Sequence, residues 1–263
     1  MNKYKVFTAE IIRAKNPNLL AESFVDLLEN YLSNNLKKED HKPLGLATGR
    51  TMVPIYRSLV SRLLKWPSSD LDELRSTWLS FNLDEYIGLP RDDSRTFSSY
   101  MRTHLADPLG LDLKKIRIPD SESKDPKNES RLYAEELTNK GGIGLQVLGL
   151  GSNGHIGFNE PPCSLESTCR VEKLTLSTRN DNAFAFQDDL QMVPSKAITL
   201  GLKEILEAQE IHLIVTGTSK SKILNTIINS SVDRDLPASF LRLHPDVIIW
   251  ADDQALIDNL NIY

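Results

Sequence analysis

Two short stretches of the sequence hold the side chains that acid-base chemistry needs. Residues 149–162 read GLGSNGHIGFNEPP, with four glycines, two asparagines, one histidine and one glutamate. His155 precedes Glu160 by five residues, close enough for the carboxylate to orient the imidazole and raise its pKa. An oriented imidazole is a candidate general acid and base. The remaining histidines lack this setting: His41, His104, His212 and His244.

The second stretch is a pair of adjacent carboxylates, Asp84 and Glu85, at the end of a predicted strand. Because successive side chains of a strand point to opposite faces, only one of the two can enter a given pocket. A carboxylate at Asp84, shielded from water by Tyr86, is a candidate base for a carbon-bound proton next to a carbonyl. The alternative role for Asp84 is the cap of a helix or turn.

Two glycine-containing loops are candidate phosphate cradles. In the first, LGLATGRT leads from a strand into a helix start, which presents backbone N–H groups and a dipole to an anion. Its candidate substrate-binding residues are Thr48, Gly49, Arg50 and Thr51. The loop lacks the Walker A spacing, and a plain helix N-cap is the alternative. The second loop is Gly217 to Lys220. Its lysine either binds the phosphate as a cation or is a solvated surface charge.

Five apolar segments predict the strands that position these residues: Leu44 to Ala47, Thr77 to Leu83, Leu145 to Leu148, Ile211 to Val215 and Val247 to Trp250. Amphipathic patterns predict the helices: Asn18 to Leu36, Met52 to Leu64, Arg131 to Leu137, Leu202 to Leu206 and Ser221 to Ile228. Their alternation predicts one α/β domain over 1–263, a single doubly wound, mostly parallel sheet flanked by helices. The polar run 120–130 is predicted to be an exposed loop or cap.

Ligands bind beyond the carboxyl ends of the strands in open parallel sheets. Four of the five predicted strands run directly into the polar segments that contain the candidate residues. We therefore expect these segments to converge on one site.

Composition excludes several other kinds of protein. A net charge of -5 argues against a nucleic-acid partner, because such partners normally need a basic face. No apolar run approaches the roughly 18 residues of a membrane span, so a cytoplasmic location is the default expectation. Cys163 and Cys169 fit neither a zinc site nor a disulfide framework, and we expect reduced thiols.

Over nearly its whole length the chain resembles the glucosamine-6-phosphate deaminase/isomerase family, with its galactosamine-6-phosphate relatives. The resemblance rests on these stretches in this order: LGLATGRT, FNLDEYIGLP, VLGLGSNGHIGFNEP, AITLGLKEIL, VTGTSK and LPASFLRLHP. The resemblance implies a Rossmann-like fold of the deaminase/isomerase type and supports the choice of Asp84 over Glu85. It also implies that no metal or organic cofactor is required, and it leaves a homo-oligomer open.

The resemblance further implies that His155, held by Glu160 and Asn153, promotes opening of the sugar ring. Asp84 then moves a proton from C2 to C1. The substrate would be a small-molecule sugar phosphate, glucosamine 6-phosphate or galactosamine 6-phosphate, and the products a ketohexose 6-phosphate and ammonia. The alternatives are a 6-phosphogluconolactonase-like hydrolase and a non-catalytic sugar-phosphate sensor.

The chain departs from the family pattern on the phosphate side of the site. The glucosamine enzymes typically carry a phosphate-binding arginine where this chain has Phe184. Arg50 or the nearby Arg179 would have to supply a bidentate cation in its place.

Overall fold

The computed structural model describes residues 3–6, 9–36, 38 and 41–258. Eleven strands occur in this part of the chain: β1 (Lys3–Val6), β2 (Ala9–Ala14), β3 (Leu44–Leu46), β4 (Ser80–Asn82), β5 (Asp84–Tyr86), β6 (Ile116–Arg117), β7 (Leu145–Gly149), β8 (Arg170–Lys173), β9 (Lys196–Thr199), β10 (Glu210–Val215) and β11 (Val247–Asp252). Their central members are short runs of buried apolar residues, as expected of strands covered on both faces.

Eight strands form the main sheet in the order β1-β2-β11-β10-β7-β3-β4-β6. Only β1 and β2 pair antiparallel, and every other neighbouring pair is parallel. From β3 the chain moves outward through β4 to β6, and it then returns to place β7 on the other side of β3. The winding direction therefore reverses between β3 and β7, which confirms the predicted doubly wound, mostly parallel sheet.

A second, three-stranded antiparallel sheet has the order β5-β9-β8. It packs with its own small group of buried side chains, which includes Tyr86, Phe158 and Phe186. This sheet was not predicted from the sequence. It matters for the site because Asp84 is the first residue of β5 and lies opposite Thr199 of β9.

The helices flank the main sheet: α1 (Pro17–Asn35), α2 (Val53–Leu63), α3 (Ser68–Thr77), α4 (Phe97–Met101), α5 (Asp107–Leu109), α6 (Pro126–Asn139), α7 (Leu176–Asn182), α8 (Leu202–Leu206) and α9 (Ser221–Asn229). A π-helical segment (Arg102–Ala106) joins α4 to α5. Short 3-10 helices occur at Arg50–Met52, Leu113–Lys115, Ala183–Phe186, Thr218–Lys220 and Pro237–Leu243.

The first helix shows why the apolar pattern was a reliable guide. The Asn16 side chain accepts a hydrogen bond from the Leu19 N–H at 3.0 Å, which satisfies an N-terminal donor of α1. Leu20, Phe24 and Leu28 recur at four-residue steps and are all buried. Capping and periodicity therefore agree on the same helix.

Two predicted boundaries were wrong. The strand expected over 77–83 contains only Ser80–Asn82, because α3 extends to Thr77; this helix buries only Leu71 and Leu74, too short an apolar stripe to detect. The polar run 120–130 is a loop only as far as Asp125, whose side chain caps α6 by accepting the Asn128 N–H. The remaining elements lie within a few residues of their predicted bounds.

Two further expectations concern the whole chain. Among the described residues, no helix is long and apolar enough to cross a membrane. Cys163 and Cys169 are both buried free thiols. The expectation of one domain over 1–263 stays a prediction.

Candidate active site

A cavity of about 490 Å³ opens at the carboxyl ends of β3 and β7, where the winding of the sheet reverses. Seven of the nine residues that we predicted for the site line this cavity: Thr48, Gly49, Arg50, Thr51, Asp84, His155 and Lys220. The other two, Asn153 and Glu160, do not line it and lie behind His155. Segments far apart in the sequence thus meet where a parallel sheet binds its ligands.

Asp84 projects into the cavity from the start of the small sheet. It is buried, and no described residue donates a hydrogen bond to its carboxyl group. Burial, and second the nearby Glu85 carboxylate, raise the pKa of Asp84 to about 8. A carboxyl group with a raised pKa and no fixed partner can take up and return a proton near neutral pH.

Glu85 points to the opposite side of the strand, where it holds a helix start. Its carboxylate accepts backbone N–H groups from Tyr86 at 2.8 Å, Phe97 at 3.0 Å and Ser98 at 2.8 Å. Burial raises the pKa of Glu85 to about 7, although these three hydrogen bonds oppose the rise. Of the two adjacent acids, Glu85 is therefore the cap of α4, and Asp84 faces the cavity.

His155 faces the same cavity from the loop after β7. Its Nδ1 lies 2.7 Å from Asn153 Oδ1 and 3.2 Å from Thr178 Oγ1. The amide of Asn153 in turn donates to Glu160 Oε2 at 2.8 Å. A chain of hydrogen bonds thus runs from Glu160 through Asn153 to the imidazole and fixes the orientation of the ring.

Glu160 acts on His155 mainly through Asn153, because its own carboxylate oxygen is 3.8 Å from His155 Nδ1. Glu160 also accepts the Thr175 N–H at 3.0 Å, which ties it to the start of α7. The sequence predicted that the carboxylate would raise the histidine pKa, and the influence of Glu160 does have this direction, but it is not the largest one. Burial lowers the pKa of His155, and this effect outweighs the opposing effect of Glu160. The imidazole is therefore neutral around pH 7.

Two glycines make this arrangement sterically possible. A Cβ atom on Gly151 would lie 2.3 Å from the His155 ring, so only glycine leaves room for the imidazole. Gly157 has a φ of 56°, a conformation that favours glycine, and a Cβ there would lie only 3.2 Å from Thr199 Oγ1 in the small sheet. The glycine-rich loop thus brings His155 and Asp84 to one cavity.

The first phosphate-cradle candidate lies between β3 and α2. Gly49 has a φ of 106°, a conformation that favours glycine, and the 3-10 turn of Arg50–Met52 begins directly after it. Tyr100 donates its hydroxyl to the Gly49 carbonyl at 2.9 Å and so fixes the loop. The loop is therefore held in place from the α4 side of the cavity.

The structure separates the two arginines proposed to replace the family arginine. The guanidinium carbon of Arg50 lies 4.4 Å from the centre of the Phe184 ring, and both residues line the cavity. Arg179 instead donates to the backbone carbonyls of Leu190 and Val193 and does not line the cavity. The geometry therefore favours Arg50 as the cation on this side.

The second cradle candidate supplies Lys220, whose ammonium nitrogen lies 3.6 Å from Asp181 Oδ2. Asp181 belongs to α7 and lines the cavity as well. The two cradle cations therefore differ, because Lys220 has a carboxylate beside it, whereas Arg50 has only an aromatic ring as a close partner in the described chain.

Besides Asp181, sequence reasoning missed three further residues at this site. Thr178 contacts His155, and nothing in its sequence context marks it. Arg95, between β5 and α4, lines the cavity with its guanidinium carbon 5.1 Å from the Phe186 ring centre; its position after the Asp84 strand was an available signal. His104 also lines the cavity and packs on Tyr100 at 4.4 Å, contrary to the expectation that it lacked a suitable setting.

No group of three or more His, Cys, Asp or Glu side chains suited to a metal ion occurs in residues 3–6, 9–36, 38 and 41–258.

The sequence is similar to proteins of known function over most of its length. Residues 15–250 match the family described as glucosamine-6-phosphate isomerases/6-phosphogluconolactonase. The glucosamine-6-phosphate deaminase of Oceanobacillus iheyensis is 39% identical over 237 residues, which cover 90% of this chain and 92% of the relative. The glucosamine-6-phosphate deaminase of Streptomyces avermitilis is 37% identical over 230 residues, 88% of this chain and 86% of the relative.

Solved structures give the same picture of the fold. A monomeric glucosamine-6-phosphate deaminase aligns with a TM-score of 0.83 and 30% identity, over 94% of this chain and 98% of the other. The 6-phosphogluconolactonase of Trypanosoma cruzi aligns with a TM-score of 0.74 over 98% of each chain, but at 19% identity that likeness concerns the fold alone. From its sequence match over 15–250, the chain belongs to the glucosamine-6-phosphate isomerase/6-phosphogluconolactonase family.

Proposed function

We propose that this protein is a hexosamine-6-phosphate deaminase. It converts glucosamine 6-phosphate or galactosamine 6-phosphate to a ketohexose 6-phosphate and ammonia. The observation that carries the proposal is the placement of an unpartnered carboxyl group, Asp84, and an oriented neutral imidazole, His155, in one cavity. Relatives at 39% and 37% identity that are named glucosamine-6-phosphate deaminases support it.

In the first step, His155 moves the proton of the anomeric hydroxyl and opens the sugar ring. Its neutral ring can accept this proton, because burial lowers the pKa of His155. Asn153 holds Nδ1 and leaves Nε2 for the substrate. Ring opening exposes the C1 aldehyde, and only then does the proton on C2 become acidic enough to remove.

In the second step, Asp84 takes the C2 proton and returns it to C1. The electron pair of the broken C2–H bond forms the C1=C2 double bond, and the C1 carbonyl oxygen takes a proton from the C2 ammonium group to give the enol. Protonation at C1 by Asp84 then leaves a C2 iminium. Water then adds at C2 and ammonia leaves, so the net reaction consumes one water. A carboxyl group with a pKa of about 8 suits a proton that must be both taken and returned.

The phosphate is bound at the other end of the cavity. Arg50 and the rest of the Thr48–Thr51 loop line this part of the cavity, with Lys220 from the second loop. A phosphate monoester carries nearly two negative charges at pH 7, which these cations and N–H groups would balance.

One assay separates this proposal from its alternatives. The protein is incubated with glucosamine 6-phosphate, galactosamine 6-phosphate and 6-phosphogluconolactone, while ammonia, ketose phosphate and acid release are followed. We expect ammonia and ketose phosphate in equal amounts from at least one amino sugar, and the preferred epimer is read from the same data. If neither amino sugar phosphate releases ammonia, the proposal is wrong.

The two alternatives give other results. Acid release from the lactone without deamination of an amino sugar would show that the protein is a lactonase-like hydrolase. The unpartnered carboxyl group of Asp84 has no evident use in lactone hydrolysis. If calorimetry detects binding of an amino sugar phosphate but no product forms, the protein is a non-catalytic sensor. A cytoplasmic location, the absence of a nucleic-acid partner and a possible homo-oligomer stay predictions from the sequence.

A further inference from the structure

Three permanent cations line the cavity, and they differ in what neutralises them. Arg95 is held by both oxygens of Asp93, with its Nε donating to Oδ1 at 2.8 Å. Lys220 has Asp181 at 3.6 Å. Arg50 lies on the Phe184 ring, and no carboxylate of the described residues forms an ion pair with it. A substrate phosphate thus meets one unneutralised cation and two that already have an acid beside them.

Asp181 is the acid whose presence is hardest to explain by the fold. It is the second-last residue of α7, where a negative charge opposes the helix dipole. Its side chain is 38% exposed, and Lys220 is the one described residue with which it forms an ion pair. Its charge also reaches His155, whose pKa is lowered by burial and raised in part by Asp181. The carboxylate therefore does not stabilise the helix in any evident way. It does place an anion at the phosphate end of the cavity.

Geometry places this anion where a ligand anion would bind. Lys220 follows Gly217, which has a φ of 87°, in the loop that leads into α9, and this is the loop predicted to cradle phosphate. Any phosphate oxygen within hydrogen-bonding distance of the ammonium lies within a few ångströms of the Asp181 carboxylate as well. Like charges at such distances repel each other, even when solvent screens them in part.

We propose that Asp181 is a specificity-determining residue that competes with the substrate phosphate for Lys220. Arg50 on Phe184 then carries the larger share of phosphate binding. This inference rests on the proposed function, since it takes a phosphorylated substrate as given. Asp181 keeps the hold on phosphate weak, and so favours ligands whose sugar part also fits the wall around Asp84 and His155.

Inorganic phosphate is the test ligand, because its binding does not depend on any reaction. Asp181→Asn removes the negative charge and keeps the shape, so we expect phosphate to bind about three- to tenfold more tightly, measured by titration calorimetry at low ionic strength. In a Lys220→Ala background the same substitution should give little gain. With a deaminated substrate, Asp181→Asn should also lower KM.

The matched control is Asp188→Asn, which removes the same charge from the same segment outside the cavity. It should leave phosphate binding within twofold of the wild type. Unchanged or weaker phosphate binding in Asp181→Asn would overturn the proposal, as would an equal gain in the Lys220→Ala background. If phosphate binding tightens as expected but no amino sugar phosphate is deaminated, the proposed reaction fails while the role of Asp181 stands.

Discussion

The two ends of the cavity differ in how completely their polar groups are held. At the catalytic end (Asp84, Asn153, His155, Glu160), the imidazole, amide and glutamate form a continuous hydrogen-bonded chain, and the Glu160 side chain is only 4% exposed. At the phosphate end (Arg50, Asp181, Phe184, Lys220), contacts are few and the Phe184 side chain is 43% exposed. In the proposed mechanism, proton transfer would depend on this rigid arrangement, whereas phosphate binding would depend on charges that fewer contacts hold.

This difference has a physical reason. Proton transfer requires an oriented donor and acceptor, and an error of about 1 Å costs much of the rate. A phosphate group can be held by any set of cations and N–H groups that balances its charge. Substitutions such as phenylalanine at 184 are therefore tolerable at the phosphate end, while comparable changes at the catalytic end should abolish activity.

Asp84→Asn should have the largest effect, because it removes the base without removing bulk. We expect kcat to fall by about 10²- to 10⁴-fold with KM nearly unchanged. Ammonia release and deuterium exchange at C2 measure this directly. The exposed Asp92→Asn, on the following loop, is the control and should retain activity. Undiminished C2 exchange would remove Asp84 from its role.

Glu160→Gln tests whether the catalytic end acts as a connected unit. A glutamine presents only one acceptor oxygen to Asn153 and Thr175, so the orientation of His155 should loosen and kcat should fall by about ten- to a hundredfold. KM should change little, since Glu160 does not line the cavity. The exposed Glu166→Gln provides the matched control. A rise in KM alone would instead place Glu160 with the substrate-binding groups.

Arg50→Ala should act on binding, because its guanidinium is the cavity cation without a carboxylate partner in the described chain. We expect KM to rise by about tenfold and kcat to stay within a factor of a few. Arg50→Lys keeps the charge but loses the planar guanidinium group. Its KM should lie between the KM of the wild type and that of Arg50→Ala. An unaltered KM in Arg50→Ala would show that Arg50 does not bind the phosphate and would assign this role to Lys220 and Arg95.

The smallest effect concerns pH. Because Asp84 must be ionised to act as a base and its pKa is about 8 in the empty cavity, kcat/KM should fall as the pH drops below about 8. Burial is the larger cause of that raised pKa, and the Glu85 charge is the smaller one. Glu85→Gln should therefore move this acidic limb to lower pH by less than about one unit.

The control for this substitution is thermal stability, since Glu85 also caps α4. A Tm measured across the same pH range separates loss of folded protein from a shifted profile. An acidic limb that stays in place in a folded Glu85→Gln protein would contradict the coupling between the two carboxyl groups.

Much of the fold could be predicted from the sequence, because its signals are local. The amphipathic spacing in α1 and the buried apolar runs of β7, β10 and β11 are properties of neighbouring residues. The small sheet could not be predicted, because β5 and β9 are short and are stabilised by pairing across more than a hundred residues. The cap formed by Glu85 is likewise visible only once α4 lies beside it.

The α/β class, the convergence of four loops and the residue types available for acid-base chemistry could be predicted from the amino-acid sequence. How those residues act on one another depends on the packing of the folded chain. In the folded chain, burial changes the pKa of His155 more than Glu160 does. Arg179 lies away from the cavity, and Asp181 lies beside Lys220. These outcomes depend on distances of a few ångströms and on exclusion of water, which arise only when separate segments pack together.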